Sequence, residues 1–271
     1  MPPDRRNLVL TGIPRSGTTL LTALVDTLEN SVALSEPGWQ FDWLAGRKRV
    51  DPQWFAGALA EDFTHTRERL LQGLPVSDRR DADGAALTNY HRGAYVTHAL
   101  RRDGLTADFT LGMKHVGPYM GALPQIVAHG AFSVIAMVRH PVETIASWKD
   151  VPIPAGMGKM PGAAAQWPEL AALSRATMPL LEKQVRLYDM LCERLLELQG
   201  RITLFTYEQL VADPRIISRL LQKPQLSSAP RIEIRPPGFY GASLLRIAAM
   251  VDKIGVACKQ LYPDAASIRA P

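Results

Sequence analysis

Leu8-Val9-Leu10-Thr11-Gly12-Ile13-Pro14-Arg15-Ser16-Gly17-Thr18-Thr19-Leu20-Leu21 reads as an apolar strand, a glycine-bounded loop and the start of an amphipathic helix. Such a turn aims backbone N–H groups and the positive end of a helix dipole at one point, which suits a phosphate or a sulfate. Two hydroxyls and a guanidinium join the same nest. The glycine spacing is that of a P-loop, but Thr18-Thr19 stand where Lys-Ser or Lys-Thr would follow. The missing lysine argues against a standard ATP- or GTP-hydrolysing site.

Working outward, residues 7–12 form a buried strand. From Thr18 to Glu29, Leu20, Leu21, Leu24, Val25 and Leu28 share one helical face. Val32 to Leu34 is a second strand, ending at Ser35-Glu36-Pro37. Residues 38–107 have a mostly helical pattern, with turn signals at Gly46, Gly73-Leu74-Pro75 and Asp83-Gly84. Phe109 to Met113 is a third strand. Phe132-Ser133-Val134-Ile135-Ala136-Met137-Val138 is almost wholly apolar, as in a strand covered on both faces of a parallel sheet. Pro141 then starts a helix. The Pro- and Gly-rich stretch 151–162 reads as a loop that either closes over a ligand or merely connects. A long helix is expected from 168 to 199, buried along Leu181, Val185, Tyr188, Cys192 and Leu195, followed by a strand from Ile202 to Phe205.

Strands alternating with helices predict an α/β fold, a doubly wound parallel sheet of P-loop type flanked by helices. One domain over residues 1–271 is expected, with 38–107 as a helical insertion on the acceptor side. The 271 residues are 46% hydrophobic and 21% charged, the composition of an ordinary globular chain. A formal charge of +5 fits an anionic ligand without requiring nucleic acid. No segment approaches the roughly eighteen apolar residues of a membrane span. The N-terminus becomes a core strand too early for a secretory signal. Cys192 lies on an apolar stripe and Cys258 is the only other cysteine, which favours core packing over a disulfide. A cytoplasmic location is the expectation.

Ligands of open parallel sheets sit beyond the carboxyl ends of the strands. Here those ends carry Pro14 to Thr19, Ser35-Glu36, Lys114-His115 and Arg139-His140. Ser147 lies eight residues past Arg139, about 12 Å along the intervening helix. A cation at Arg139, beside a helix N-terminus, opposes the dipole unless an anion joins it.

These residues carry a family resemblance. Gly12-Ile13-Pro14-Arg15-Ser16-Gly17-Thr18-Thr19 resembles the 5'-phosphosulfate loop of sulfotransferases that use 3'-phosphoadenosine 5'-phosphosulfate (PAPS). Val138-Arg139-His140-Pro141 with Ser147 is similar to that family's 3'-phosphate motif. Thr206-Tyr207-Glu208-Gln209-Leu210-Val211-Ala212-Asp213-Pro214 is similar to its Tyr-Glu-x-Leu-x-x-Asp-Pro segment. The matches keep the family's order over residues 8–214. An arginine in the loop is closer to the bacterial, carbohydrate and tyrosylprotein branches than to the cytosolic enzymes, which have lysine there.

The resemblance implies sulfuryl transfer from PAPS to a hydroxyl or amine of a small molecule, glycan or lipid, with no metal required. Arg15 would hold the bridging oxygen and the leaving phosphate. Pro14, Ser16, Gly17, Thr18 and Thr19 would bind the 5'-phosphate, Arg139 and Ser147 the 3'-phosphate, and Tyr207 the adenine. Lys114 would stabilise the sulfuryl group. Two residues compete for the general base. Glu36 resembles the base of tyrosylprotein and some bacterial enzymes, and His115 resembles the Lys-Thr-His segment of cytosolic ones. In this chain His115 follows Lys114 directly, which would turn it to the other side of an extended chain and makes Glu36 the preferred base. The C-terminal Arg-Lys-Gly segment of the cytosolic enzymes has no equivalent; Arg231 and Arg235 are the candidate replacements. Trp39, Phe41, Trp43, Trp54, Phe55 and Phe63 either line an acceptor pocket or pack the insertion on the sheet. The competing readings are a P-loop kinase and a non-catalytic nucleotide-binding protein. Oligomeric state is not written in the sequence.

Overall fold

Strand β1 (Asn7–Gly12) is buried from Leu8 onward and alternates between two separate apolar layers. In the computed structural model, which describes residues 6–47, 49–84, 87, 96–225 and 243–268, Leu8 and Leu10 face one layer and Val9 the other. A strand apolar on both sides must be covered on both sides. Helix α1 (Thr18–Asp26) covers the first face with Leu20, Leu21, Leu24 and Val25. Each such leucine contributes about 1.5–3 kcal/mol by leaving water.

The chain continues through β2 (Ser31–Ser35), α2 (Gly38–Asp42), α3 (Pro52–Leu71), β3 (Val76–Arg80), β4 (Val96–Leu100) and β5 (Thr110–Lys114). Then come α4 (Gly117–Gly121), α5 (Leu123–His129), β6 (Ser133–Val138), α6 (Pro141–Ser147), α7 (Pro161–Ala164), α8 (Pro168–Arg175) and α9 (Leu180–Glu197). The last described elements are β7 (Thr203–Thr206), α10 (Tyr207–Ala212), α11 (Ile216–Leu221), α12 (Ser243–Ile254) and α13 (Ala257–Leu261).

Five strands form one parallel sheet in the order β2-β5-β1-β6-β7. Helices cover both faces, the doubly wound P-loop-type arrangement that the alternating elements predict. One layer joins α1 and α11 to the sheet, and the other holds α3 to α6, α8, α9 and α12. Every strand that pairs with β1 runs parallel to it, so all the loops that follow their carboxyl ends gather along one edge.

Three expectations are corrected. The segment 38–107 is not all helical: β3 and β4 form an antiparallel hairpin, Val76 opposite Leu100 and Arg80 opposite Val96. Its period is hidden because the inward positions after Val76 are Asp78 and Arg80, charged residues where an amphipathic strand would carry apolar ones. The helix expected over 168–199 is two helices. Pro179 lacks an N–H and pushes its predecessor out of the helical region, and the chain turns extended at Ala176 before α9 restarts. The stretch 151–162 is not merely a loop; it contains a 3-10 turn at Pro154–Met157 and the start of α7. Cys192 and Cys258 are both buried and free.

The hairpin is rooted in the sheet by charge. Arg80 Nη1 lies 3.1 Å from Asp26 Oδ2, its Nε 2.9 Å from Asp78 Oδ2, and Arg102 Nη2 2.8 Å from Asp26 Oδ1. Strand β2 is the sheet's edge. Its outward N–H groups are taken by these same carboxylates: Ala33 N donates to Asp26 Oδ1 at 3.0 Å and Ser35 N to Asp78 Oδ1 at 2.7 Å. An edge that would otherwise invite a foreign strand is thereby closed.

Candidate active site

The loop after β1 is folded by its own polar groups. Gly12 sits at φ 145°, and a Cβ there would lie 2.2 Å from the Met137 carbonyl oxygen, so only glycine allows β1 to run this close to β6. The Ser16 hydroxyl, fully buried, donates to the carbonyls of Ile13 (2.6 Å) and Met137 (2.9 Å), and Ser16 N donates to Ile13 O at 3.1 Å. Ser16 therefore holds the loop shut and does not line the cavity. The Trp148 indole N–H donates to Pro14 O at 2.9 Å. Arg15 (φ 71°) and Gly17 (φ 92°) both take left-handed backbone. No side chain caps the start of α1, which leaves its first-turn N–H groups facing the cavity with Thr18 and Thr19.

At the β2 and β5 end, Glu36 follows its strand with φ 52°, again left-handed. Its carboxylate is held on both oxygens: Lys114 Nζ donates to Oε1 at 2.8 Å and Arg79 Nη1 to Oε2 at 2.6 Å. Burial alone would raise the Glu36 carboxyl. The Lys114 and Arg79 cations overcome it and lower it to about 2, so the group is ionised. Burial lowers His115 to about 3 against the pull of Glu36, so this imidazole is neutral. The His115 ring packs edge-on to Phe41 at 4.3 Å and to Tyr119 at 5.6 Å, and its buried Nε2 has no hydrogen-bond partner among the described residues. Lys114 and His115 both reach the cavity, because β5 ends at Lys114 and the strand's alternation stops there.

At the other end, Arg139 follows β6, with Nη2 2.8 Å from Glu143 Oε2 and its guanidinium 4.7 Å from the Tyr207 ring centre. Its Nε is buried without a hydrogen-bond partner among the described residues. Tyr207 opens α10 behind a capping box in which Thr206 and Gln209 satisfy each other's backbone. Its ring lies against Gly17, where a Cβ would come within 2.6 Å of Tyr207 Cδ2. The third motif thus touches the first. Ser147 is elsewhere: it is fully buried, its hydroxyl donates to Thr144 O at 2.7 Å, and it does not line the cavity. Its position on the last turn of α6 keeps it on the packed side of that helix.

These groups surround one cavity of about 710 Å³. Its cations are Arg15, Arg47, Arg79, Lys114, Arg139 and Lys159, and Glu36 is the only carboxylate in its lining among the described residues. Such a concentration of positive charge behind low-dielectric walls draws an anionic ligand. Arg47, Arg79 and Lys159 escape the sequence reading. None of the three carries a local signal, since Asp78-Arg79-Arg80 is an unbroken charged run that hides the alternation of β3. Of the six aromatic candidates only Phe41 lines the cavity; Phe55 and Phe63 belong to the core. Arg231 and Arg235 lie outside the described residues. Among the described residues no cluster of His, Cys, Asp or Glu could hold a metal, and no helix is long and apolar enough to cross a membrane.

The sequence model of the sulfotransferase family matches residues 7–223. Among solved structures, the chain is similar to a sulfotransferase from Alicyclobacillus acidocaldarius, with 14% identity, a TM-score of 0.38, and coverage of 94% of this chain and 99% of that one. No curated protein matches the sequence.

Proposed function

The chain belongs to the sulfotransferase family, and we propose that it moves a sulfuryl group from PAPS to a hydroxyl or amine of a small molecule, glycan or lipid. The observation that carries this reading is the uncapped start of α1 facing the cavity between Arg15 and Lys114, with no lysine after Gly17. The N–H groups of Gly17, Thr18 and Thr19 and the two threonine hydroxyls bind the 5'-phosphate. Arg15 spans the bridging oxygen, and Arg139, with Tyr207 beside it, takes the 3'-phosphate end. Ser147, bonded to its own helix, would act there only by supporting Arg139. The residues present fit the donor's two anionic ends without a metal.

PAPS supplies an activated sulfur on a phosphate leaving group. The acceptor oxygen or nitrogen bonds to that sulfur as the bond to the bridging oxygen breaks, and the leaving electrons settle on the phosphate. Arg15 stabilises that charge and Lys114 the charge spread over the sulfuryl oxygens, so the protein acts by positioning and electrostatics. The acceptor's proton goes to Glu36. Lys114 must turn from Glu36 to the sulfuryl oxygens for this to happen, which frees Oε1 to accept it. The second reading, His115 as base, is favoured by its neutral ring and by an Nε2 without a hydrogen-bond partner among the described residues. Residues 38–107 contribute the acceptor side of a one-domain enzyme, and the cytoplasm is the proposed compartment.

The test is calorimetry with 3'-phosphoadenosine 5'-phosphate (PAP) against ADP, followed by labelled-sulfate transfer to a panel of acceptors, with Glu36→Gln and His115→Ala compared to find the base. PAP is expected to bind at least about tenfold more tightly, since a charge-assisted contact to the 3'-phosphate is worth about 1.5–3 kcal/mol. Equal affinities, or phosphate transfer from Mg-ATP, would overturn the assignment in favour of a kinase or a plain nucleotide binder.

A further inference from the structure

We infer that Arg79, on the β3–β4 hairpin, is a positioning residue that orients the Glu36 carboxylate against Lys114, which makes the hairpin part of the catalytic apparatus. This rests on the reading of Glu36 as an active-site carboxylate.

Two neighbouring residues of β3 grip two neighbouring residues at the end of β2. Asp78 accepts the Ser35 N–H at 2.7 Å, and Arg79, pointing to the opposite side of the strand, donates to Glu36 Oε2 at 2.6 Å. Main chain and side chain are thus fixed by one strand. The grip answers a need, because Glu36 sits at φ 52°, a strained conformation for a non-glycine residue that survives only where its surroundings over-determine it. The hairpin can bear that load because Arg80, the next residue, lies in the buried cluster with Asp26 and Asp78. The Arg79 guanidinium is steadied in turn by the Phe41 ring, 5.3 Å from its centre. Phe41 itself packs on His115.

The charged groups facing Glu36 are Lys114 from the end of β5 and Arg79 from β3, with the neutral but titratable His115 beside them. When Lys114 turns to the sulfuryl oxygens, Arg79 is the cation that stays. It then holds Oε2 while Oε1 is free, so the carboxylate presents one defined oxygen to the acceptor.

The test is a carbon-13 carboxyl NMR titration of the full chain, with Glu36→Gln identifying the signal. In Arg79→Met the Glu36 midpoint is expected to rise by about one pH unit or more, the usual effect of losing a cation within a few ångströms. Arg79→Lys, which keeps the charge, is expected to recover at least half of that shift and tests the idea even if the methionine variant folds poorly. With the substrates supplied, kcat falls and the KM for PAPS stays constant. An unmoved midpoint in both variants overturns the inference, as does a fall in turnover explained wholly by lost PAPS binding. The titration needs no turnover, so a wild-type chain that transfers no sulfuryl group would count against the functional reading alone.

Discussion

The two ends of the cavity are made of different material. The end above β1 and β6 is mostly main chain: a glycine-bounded loop, a bare helix start, and a Tyr207 ring laid on Gly17. The end above β2 and β5 is side-chain charge, a carboxylate held by a lysine 78 positions away and an arginine 43 positions away. Three strand spacings separate β2 from β6, about 14 Å across the sheet. A long ligand with unlike ends can therefore meet rigid backbone donors at one end and adjustable charge at the other. Preorganised dipoles suit a phosphate that every turnover presents in the same form. Paired side-chain charges suit the end at which the proposed transfer moves a proton and a sulfuryl group.

The sharpest way to break this division is Arg15→Ala, which removes the side chain proposed to span the bridging oxygen between the two ends. Turnover is expected to fall on the order of a hundredfold to a thousandfold, with a smaller loss of PAP affinity. Equal losses in binding and turnover would confine Arg15 to the donor end. Next in size is Gly17→Ala. A Cβ there meets Tyr207 at 2.6 Å on backbone at φ 92°, so PAP affinity measured by calorimetry should drop by about tenfold or more. The acceptor-end titration of Glu36 should remain where it was, and a shift there would show that the two ends are coupled. The smallest effect concerns stability and acid. The Glu36 carboxyl is lowered to about 2 from an ordinary 4.5, so the stability from its ion pairs is complete above about 4.5 and is lost as pH falls toward 2. Melting temperature should therefore fall more steeply over that range for the wild type than for Glu36→Gln. Parallel curves would mean that Lys114 and Arg79 do not hold the carboxylate.

The same contrast explains what could be read from the residues alone. The parallel sheet was legible because strands such as Val134 to Val138 are apolar on both faces, a local property. The Gly12 to Thr19 loop was legible because its chemistry is contiguous. Arg139 could be singled out because a cation beside a helix start is out of place without an anion. The hairpin was not legible, since Asp78 and Arg80 are buried as partners of Asp26 and only the folded chain brings that partner near. The bonds of Ser16 were not legible for a related reason. A serine in a phosphate loop looks like a ligand, yet the hydroxyl and the N–H of this one go to the carbonyls of Ile13 and of Met137 on β6. Ser147 likewise ends the helix that follows Arg139 but faces the packed side.

Arg15 and Glu36 share an uncommon property: both hold left-handed backbone without being glycine. Glycine relieves that strain at either position, but at 36 it also strips the buried Lys114 of its carboxylate, a loss that outweighs the strain. A laboratory selection for heat resistance alone would therefore drift toward glycine at position 15 and not at 36, and would remove the guanidinium on which the proposed transfer relies. Any engineering of this chain for durability has to hold those two positions fixed and look for its gains in the helical layers instead.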